Sequence, residues 1–306
     1  MVGQPPPSSP ASRQVATRRR RVPLRSPVRS TPTPSRAGRQ AGQNQGVALL
    51  RCDFYSEALH LSTSMTVLLP QRTTSQVGLA NEGTQAPPPV LYLLHGMSDD
   101  ATTWVRRTSI ERYVAPLGLA VVMPQVHRSY YTDEVYGGRF WTFLSVELPA
   151  LVQTFFRVSE RRQDTFVAGL SMGGYGAFKW ALREPHRFGA AASLSGALDV
   201  AGRTTRRQRP EDPRMTERLF GDGPVSGSDD DLLHLVAAAD RATLPAMRAW
   251  CGNEDGLLED NRRFAAACAA ADLPVELVEG PGEHDWAYWD ARIVDVLSWL
   301  PLRRPA

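Results

Sequence analysis

A serine with glycines two residues to either side, Gly169-Leu170-Ser171-Met172-Gly173, stands between the apolar run Thr165-Phe166-Val167-Ala168 and the helix-like run Tyr175–Leu182. Between a strand and a helix, such glycines permit a sharp turn that side chains at those positions would block, and the turn lifts the serine hydroxyl above the sheet. Ser171 is thereby a candidate nucleophile. The backbone N–H of Met172 becomes a candidate donor to an oxyanion.

A serine hydroxyl near neutral pH needs a base within hydrogen-bond reach, and the base needs a carboxylate to orient it. Six histidines are available. His284 lies in the loop Gly280-Pro281-Gly282-Glu283-His284-Asp285 after the last expected strand, and is the expected base. His60, His186 and His234 read as packing or surface residues, His127 as a substrate contact at most, and His95 as the shaper of a turn beside Gly96. Asp255, in Gly252-Asn253-Glu254-Asp255-Gly256, is the expected acid. Glu254 is the neighbour most easily mistaken for it, and capping of the next helix is the competing role for Asp255. Asp285 is expected to be structural. The second oxyanion donor is expected after His95-Gly96, at the N–H of Met97. Trp141, Tyr130, Tyr131 and Trp286 are candidate walls of a substrate pocket, with core packing as their alternative role.

Strands and helices must alternate to place these residues together. Val47 to Leu69 reads as two strands, and Val90–Leu94 as a continuously apolar strand covered on both faces. Thr108-Ser109-Ile110-Glu111 has the form of a capping box opening a helix through Val114. Further strands are expected at 119–124, 165–168, 188–196, 246–251 and 274–278, with helices near 143–157, from Tyr175 through Leu182 to an end near Pro185, and near 257–271 and 286–300. Residues 197–244 break the rhythm with Pro210, Pro213 and Pro224 and one expected helix after Asp229-Asp230-Asp231. The pattern implies an α/β domain over 47–303 with a mostly parallel sheet, helices on both faces and an inserted excursion. Ligands bind beyond the carboxyl ends of such strands, so His95, Ser171, Asp255 and His284 share one rim.

Residues 1–46 carry nine arginines and no acid among Pro, Ser, Gln and Gly, and are expected to be a disordered tail. They also read as an extension upstream of the native start, which the intact mass of the native protein would decide. The remaining 26 basic residues face 32 acidic ones, so the formal charge beyond the tail is −6 although the whole chain is +3. Arg18–Arg21 lacks interleaved aromatics, which argues against a nucleic-acid partner. Lys179 is the only lysine, in keeping with an arginine-biased genome. The sequence has no apolar run of membrane-spanning length and no apolar segment after the arginine cluster, so neither a membrane span nor an export signal is expected. Cys52, Cys251 and Cys268 lack metal-ligand spacing and read as free thiols of a reducing cytoplasm, with no metal or cofactor expected.

Leu93–Asp100, the Trp104–Tyr113 segment, Arg128–Asp133, Ser171-Met172-Gly173-Gly174-Tyr175-Gly176-Ala177, Gly252–Asp255 and His284-Asp285-Trp286 together resemble the esterase D family of α/β-hydrolases, nearest its bacterial tributyrin esterase branch. The resemblance covers about residues 50–300. It implies a cofactor-free serine carboxylesterase acting on short-chain acyl esters, with a small-molecule ester as partner and a homo-oligomer left open. Ser171, Asp255 and His284 would be the triad and the Met97 and Met172 amides the oxyanion hole. A sister branch hydrolyses S-formylglutathione but usually carries His where this chain has Tyr175, and differs around 127–140. A third branch of exported acyltransferases and feruloyl or acetylxylan esterases fits less well without a signal. A binding protein that keeps the fold without catalysis is the alternative from another class. Glu283 departs from the small residue expected before the histidine.

Overall fold

In the computed structural model, the described residues are 3, 46–71, 86–205 and 213–302. Most of the expected tail, the loop segment 72–85 and the excursion segment 206–212 lie outside them. All the described secondary structure falls in the compact unit Gly42–Ala306.

Among the described residues eight strands form one sheet: β1 (Gly46–Ser56), β2 (Leu61–Gln71), β3 (Val90–Leu94), β4 (Ala120–Pro124), β5 (Thr165–Leu170), β6 (Ala190–Leu194), β7 (Ala246–Gly252) and β8 (Val275–Gly280). Their order is β1-β2-β4-β3-β5-β6-β7-β8. The hairpin β1–β2 and its junction with β4 are antiparallel, and every other pairing is parallel. The helices are α1 (Thr103–Arg107), α2 (Ile110–Val114), α3 (Phe140–Thr142), α4 (Leu148–Phe155), α5 (Met172–Arg183), α6 (Val200–Thr205), α7 (Pro213–Phe220), α8 (Leu232–Ala238), α9 (Leu258–Ala270) and α10 (Trp286–Trp299).

Side chains on a strand alternate between faces, so a strand buried on both sides must be apolar throughout. In β3, Val90, Tyr92 and Leu94 pack on one face and Leu91 and Leu93 on the other. The first face receives α5 through Tyr175, Phe178 and Trp180, together with Phe143, Leu148, Val152 and Phe264. The second receives Trp104, Ile110 and Val114 from α1 and α2, and Ile293, Val296 and Leu297 from α10. Each such aliphatic side chain, fully buried, contributes roughly 1.5–3 kcal/mol. That two-sided burial fixes the strand ends that carry the site.

Three local expectations differ from what forms. The helix expected near 143–157 begins at Phe140 and passes through a π-helical stretch, Phe143–Glu147, before α4. The capping box at Thr108 does not close, because α2 starts at Ile110 with Ser109 before it and no side-chain cap. Thr108 Oγ1 instead donates to the Trp104 carbonyl at 2.6 Å and accepts from Ile110 N–H at 3.1 Å. The Ser109 N–H goes to Asp290 of α10 at 3.1 Å. The excursion holds α6 and α7 as well as the one helix expected there. Asp199 Oδ1 accepts from Gly202 N–H at 2.9 Å in the first turn of α6, and Pro213, which needs no amide partner, opens α7. The expected helix is α8, with the Asp231 carboxylate accepting from Leu233 N–H at its start.

Candidate active site

Ser171 sits between β5 and α5 with φ +54° and ψ −117°, a conformation that an L-residue holds only when its surroundings impose it. The flanking glycines make the turn possible by absence of bulk. A Cβ on Gly169 would lie 2.3 Å from the Gly173 carbonyl oxygen, and one on Gly173 would lie 2.4 Å from that of Leu94. Backbone therefore crosses backbone at van der Waals contact, which leaves the Ser171 hydroxyl at the rim.

The rim brings the distant loops together. His284 Nε2 lies 3.1 Å from Ser171 Oγ, and His284 Nδ1 lies 3.0 and 2.9 Å from the two carboxylate oxygens of Asp255. Asp255 Oδ1 also accepts from Leu257 N–H at 2.7 Å, so the carboxylate steadies the turn before α9 while facing the imidazole. Burial opposes its ionisation, but the hydrogen bond and charge of His284 and the Leu257 amide outweigh that and hold the Asp255 carboxyl below its ordinary range. Glu254 is turned elsewhere and accepts from Gly282 N–H at 2.8 Å. Asp285 precedes α10 and accepts from Tyr288 N–H at 2.9 Å, capping the helix. Trp289 packs perpendicular to the His284 ring with centroids 4.9 Å apart.

Met97 lies in a turn closed by Asp99 N–H to the Gly96 carbonyl and by Gly96 N–H to Asp99 Oδ2, both at 3.2 Å. Met172 is the first residue of α5, so its N–H has no carbonyl within the helix to receive it. His95 braces the Gly96 end of the turn. It is almost wholly buried, with Nδ1 2.7 Å from the Gly96 carbonyl and Nε2 3.2 Å from Val126 N–H. An amide can only donate, so Nε2 accepts and the proton stands on Nδ1, where it donates to Gly96. Burial pushes the His95 pKa down to about 4, against the opposing effect of the Gly96 hydrogen bond.

A cavity of about 690 Å³ opens on these groups, its walls including Tyr130, Trp286, Trp289, Leu257 and Arg203. Tyr130 and Trp286, two of the four aromatic residues expected at a pocket wall, line this cavity. Tyr131 and Trp141 do not line this cavity. Tyr131 is fully buried and donates its hydroxyl to the His95 carbonyl at 2.8 Å, while Trp141 lies under Arg183, whose guanidinium carbon is 4.2 Å from its ring centroid. Trp289 and Arg203 were missed. Trp289 had a signal, since it follows Trp286 by three residues on one helix and so shares its face. His127 lines an adjoining cavity of about 550 Å³ with Met97 and Ser98. Among the described residues no cluster of His, Cys, Asp and Glu could hold a metal ion, and no helix is long and apolar enough to cross a membrane.

Residues 56–300 match the family model Esterase. The chain belongs to this esterase family. The acetyl esterase of Caldicellulosiruptor saccharolyticus is 29% identical over 273 residues, covering 83% of this chain and 98% of that protein. Among solved structures, the fluorophosphonate-binding serine hydrolase FphF of Staphylococcus aureus is 32% identical with a TM-score of 0.75, covering 83% of this chain and 98% of its own. S-formylglutathione hydrolase FrmB of Staphylococcus aureus is 33% identical with a TM-score of 0.72 at the same coverage. The sheet and its flanking helices are those of an α/β-hydrolase, and the esterase is a carboxylic ester hydrolase.

Proposed function

We propose that this esterase is a serine carboxylesterase that hydrolyses short-chain acyl esters through an acyl-enzyme, as in the tributyrin esterase branch. The observation that carries the reading is the continuous relay from Ser171 Oγ through His284 to Asp255, at 3.1 Å and then 2.9 Å. His284 Nε2 takes the Ser171 proton as Oγ attacks the ester carbonyl, and Asp255 holds the Nδ1 proton and offsets the charge formed on the ring. The Met97 and Met172 amides receive the negative oxygen of the tetrahedral adduct. Each such donor is worth roughly 2.7–4 kcal/mol in comparable sites. His284 then gives its proton to the departing alkoxide, and water attacks the acyl-Ser171 ester by the same route. The proton on His284 returns to Ser171 as the acid leaves. No metal or cofactor enters these steps.

Short acyl chains fit an acetyl esterase among the relatives and a cavity walled by Tyr130, Trp286 and Trp289. Three free thiols, two of them buried, accord with a reducing compartment and a cytoplasmic enzyme. Ser171→Ala is expected to abolish turnover of p-nitrophenyl acetate and butyrate, and a fluorophosphonate probe to label the wild-type protein but not this variant. Retention of most of the activity overturns the assignment.

The likeness to FrmB supports a second reading, thioester hydrolysis of S-formylglutathione at the same serine. A panel of acyl lengths run beside S-formylglutathione separates the two. The carboxylesterase reading expects the larger kcat/KM on an ester.

A further inference from the structure

The only lysine of the chain has no exposed surface. Lys179 lies on α5, eight residues beyond Ser171, and all three of its donors are engaged. Nζ donates to the Tyr131 carbonyl at 2.9 Å and to Thr132 Oγ1 at 3.1 Å, and pairs with the Asp230 carboxylate of the excursion. The rings of Trp141 and Tyr175 also lie beside Nζ, with centroids at 4.9 and 5.8 Å. Thr132 Oγ1 donates to Asp230 at 2.5 Å, and the Tyr175 hydroxyl donates to the Asp230 carbonyl at 2.8 Å. A lone ammonium in such a site would be prohibitively desolvated, so the network exists as a unit.

What the ammonium grips is a strained segment. Tyr130 and Tyr131 have φ of +51° and +52°, a region that bulky side chains enter only under constraint. The Tyr131 ring occupies the space beside Gly176, where a Cβ would come within 2.4 Å of it. Its hydroxyl reaches the His95 carbonyl at 2.8 Å, one peptide before Gly96 and two residues before Met97. Tyr130, the other strained residue, forms a cavity wall and packs edge-on against Tyr175 at 5.8 Å.

We propose that Lys179 is a positioning residue for the oxyanion hole: by fixing the Tyr131 carbonyl it holds the Tyr131 hydroxyl on His95, and so the Met97 amide over Ser171. This rests on the serine-esterase reading above. The fit also explains the residue type, since a compact ammonium satisfies three convergent acceptors that a planar guanidinium would overfill. The excursion enters the same arrangement through Asp230, which ties a segment remote in sequence to the transition-state side of the site.

The test is steady-state turnover of p-nitrophenyl butyrate by Lys179→Met/Asp230→Asn, in which the ion pair is removed as a pair, and by Tyr131→Phe, which leaves the pair intact and cuts the next link. Each is expected to lower kcat by about tenfold or more with KM within about threefold, because a displaced oxyanion donor acts on the transition state and not on the bound ester. Combining all three substitutions is expected to lower kcat by no more than about threefold beyond the worse parent, since they interrupt one route. Val152→Ala, a core truncation in α4 that lowers Tm without touching the route, is expected to leave kcat and KM unchanged. If the double variant does not fold, Tyr131→Phe decides alone. Full kcat in Tyr131→Phe, or in a folded double variant, overturns the proposal. Loss that Val152→Ala reproduces at equal Tm does the same. Activity surviving in Ser171→Ala would instead overturn the serine-esterase reading itself.

Discussion

Substituting His95 by Gln removes a buried titrating group from the brace behind the oxyanion loop, and the structure sets both the sign and the size of the effect. In the folded protein the His95 pKa falls to about 4 from the ordinary 6.5. Its neutral form is the one that fits, because Nε2 must accept from Val126 N–H. Above pH 6.5 both folded and unfolded chains carry a neutral ring, and the full benefit of the brace is present. As pH falls, the unfolded chain binds a proton first, and stability is lost until the folded pKa is passed. The linkage relation with these two values gives a loss of about 2 kcal/mol at pH 5 and about 3 kcal/mol at pH 4 relative to pH 8. For a chain of this size that is roughly 4–8 °C in Tm at pH 5. Other groups titrate too, so the quantity to measure is the stability difference between wild type and His95→Gln, from urea unfolding at pH 8, 6.5 and 5. At pH 8 the variant is expected to be less stable by about 1–3 kcal/mol, the cost of an imperfectly replaced buried hydrogen bond. By pH 5 that difference is expected to shrink by about 2 kcal/mol, because only the wild type pays for protonation. The Asp100 carboxyl, held down to about 2 by its Thr102 and Arg106 hydrogen bonds despite some burial, loses its contribution only below the ordinary 3.8 and stays outside this window. A difference that stays constant within about 0.5 kcal/mol from pH 8 to pH 5 would refute the assignment of His95 as a neutral, buried brace.

The acid of the relay is separable from its neighbour by two isosteric changes. Asp255→Asn is expected to lower kcat for p-nitrophenyl butyrate by about 10³–10⁴-fold, since an amide cannot hold the Nδ1 proton in the required tautomer. Glu254→Gln, which keeps an acceptor for Gly282 N–H, is expected to stay within about threefold of wild type, and the reverse order of severity would reassign the acid. Gly173→Ala is expected to cost at least about 1–3 kcal/mol and most of the activity, because the clash is with the Leu94 carbonyl and no side chain can move aside. A Gly173→Ala protein with wild-type Tm and turnover would show that the close crossing beneath Ser171 is not required.

Where a residue's surroundings are set by chain periodicity, the sequence was enough to place it. Val90–Leu94 and Thr165–Leu170 are buried on both faces because helices cover both faces, and the apolar runs Val90–Leu94 and Phe166–Ala168 mark them in the sequence as strands whose ends carry His95 and Ser171. The order of loops along the sheet then brought Asp255 and His284 to the same rim. Periodicity carries no information about left-handed backbone at a bulky residue, however, and the pair Tyr130-Tyr131 depends on it. Two identical neighbouring residues point to different places, one into the cavity and one beneath the oxyanion loop, and nothing in their type distinguishes them. The constraint that selects this conformation comes from residues far along the chain: Gly176 leaves room for the Tyr131 ring, and Lys179 and Asp230 secure the backbone. Lys179 did carry a signal, as the one lysine of the chain, set between Phe178 and Trp180 in a helix that has no other charge from Met172 to Leu182. A buried lysine demands a carboxylate and carbonyls converging on it, so the strained segment and the excursion that supply them are parts of one device rather than separate decorations of the rim.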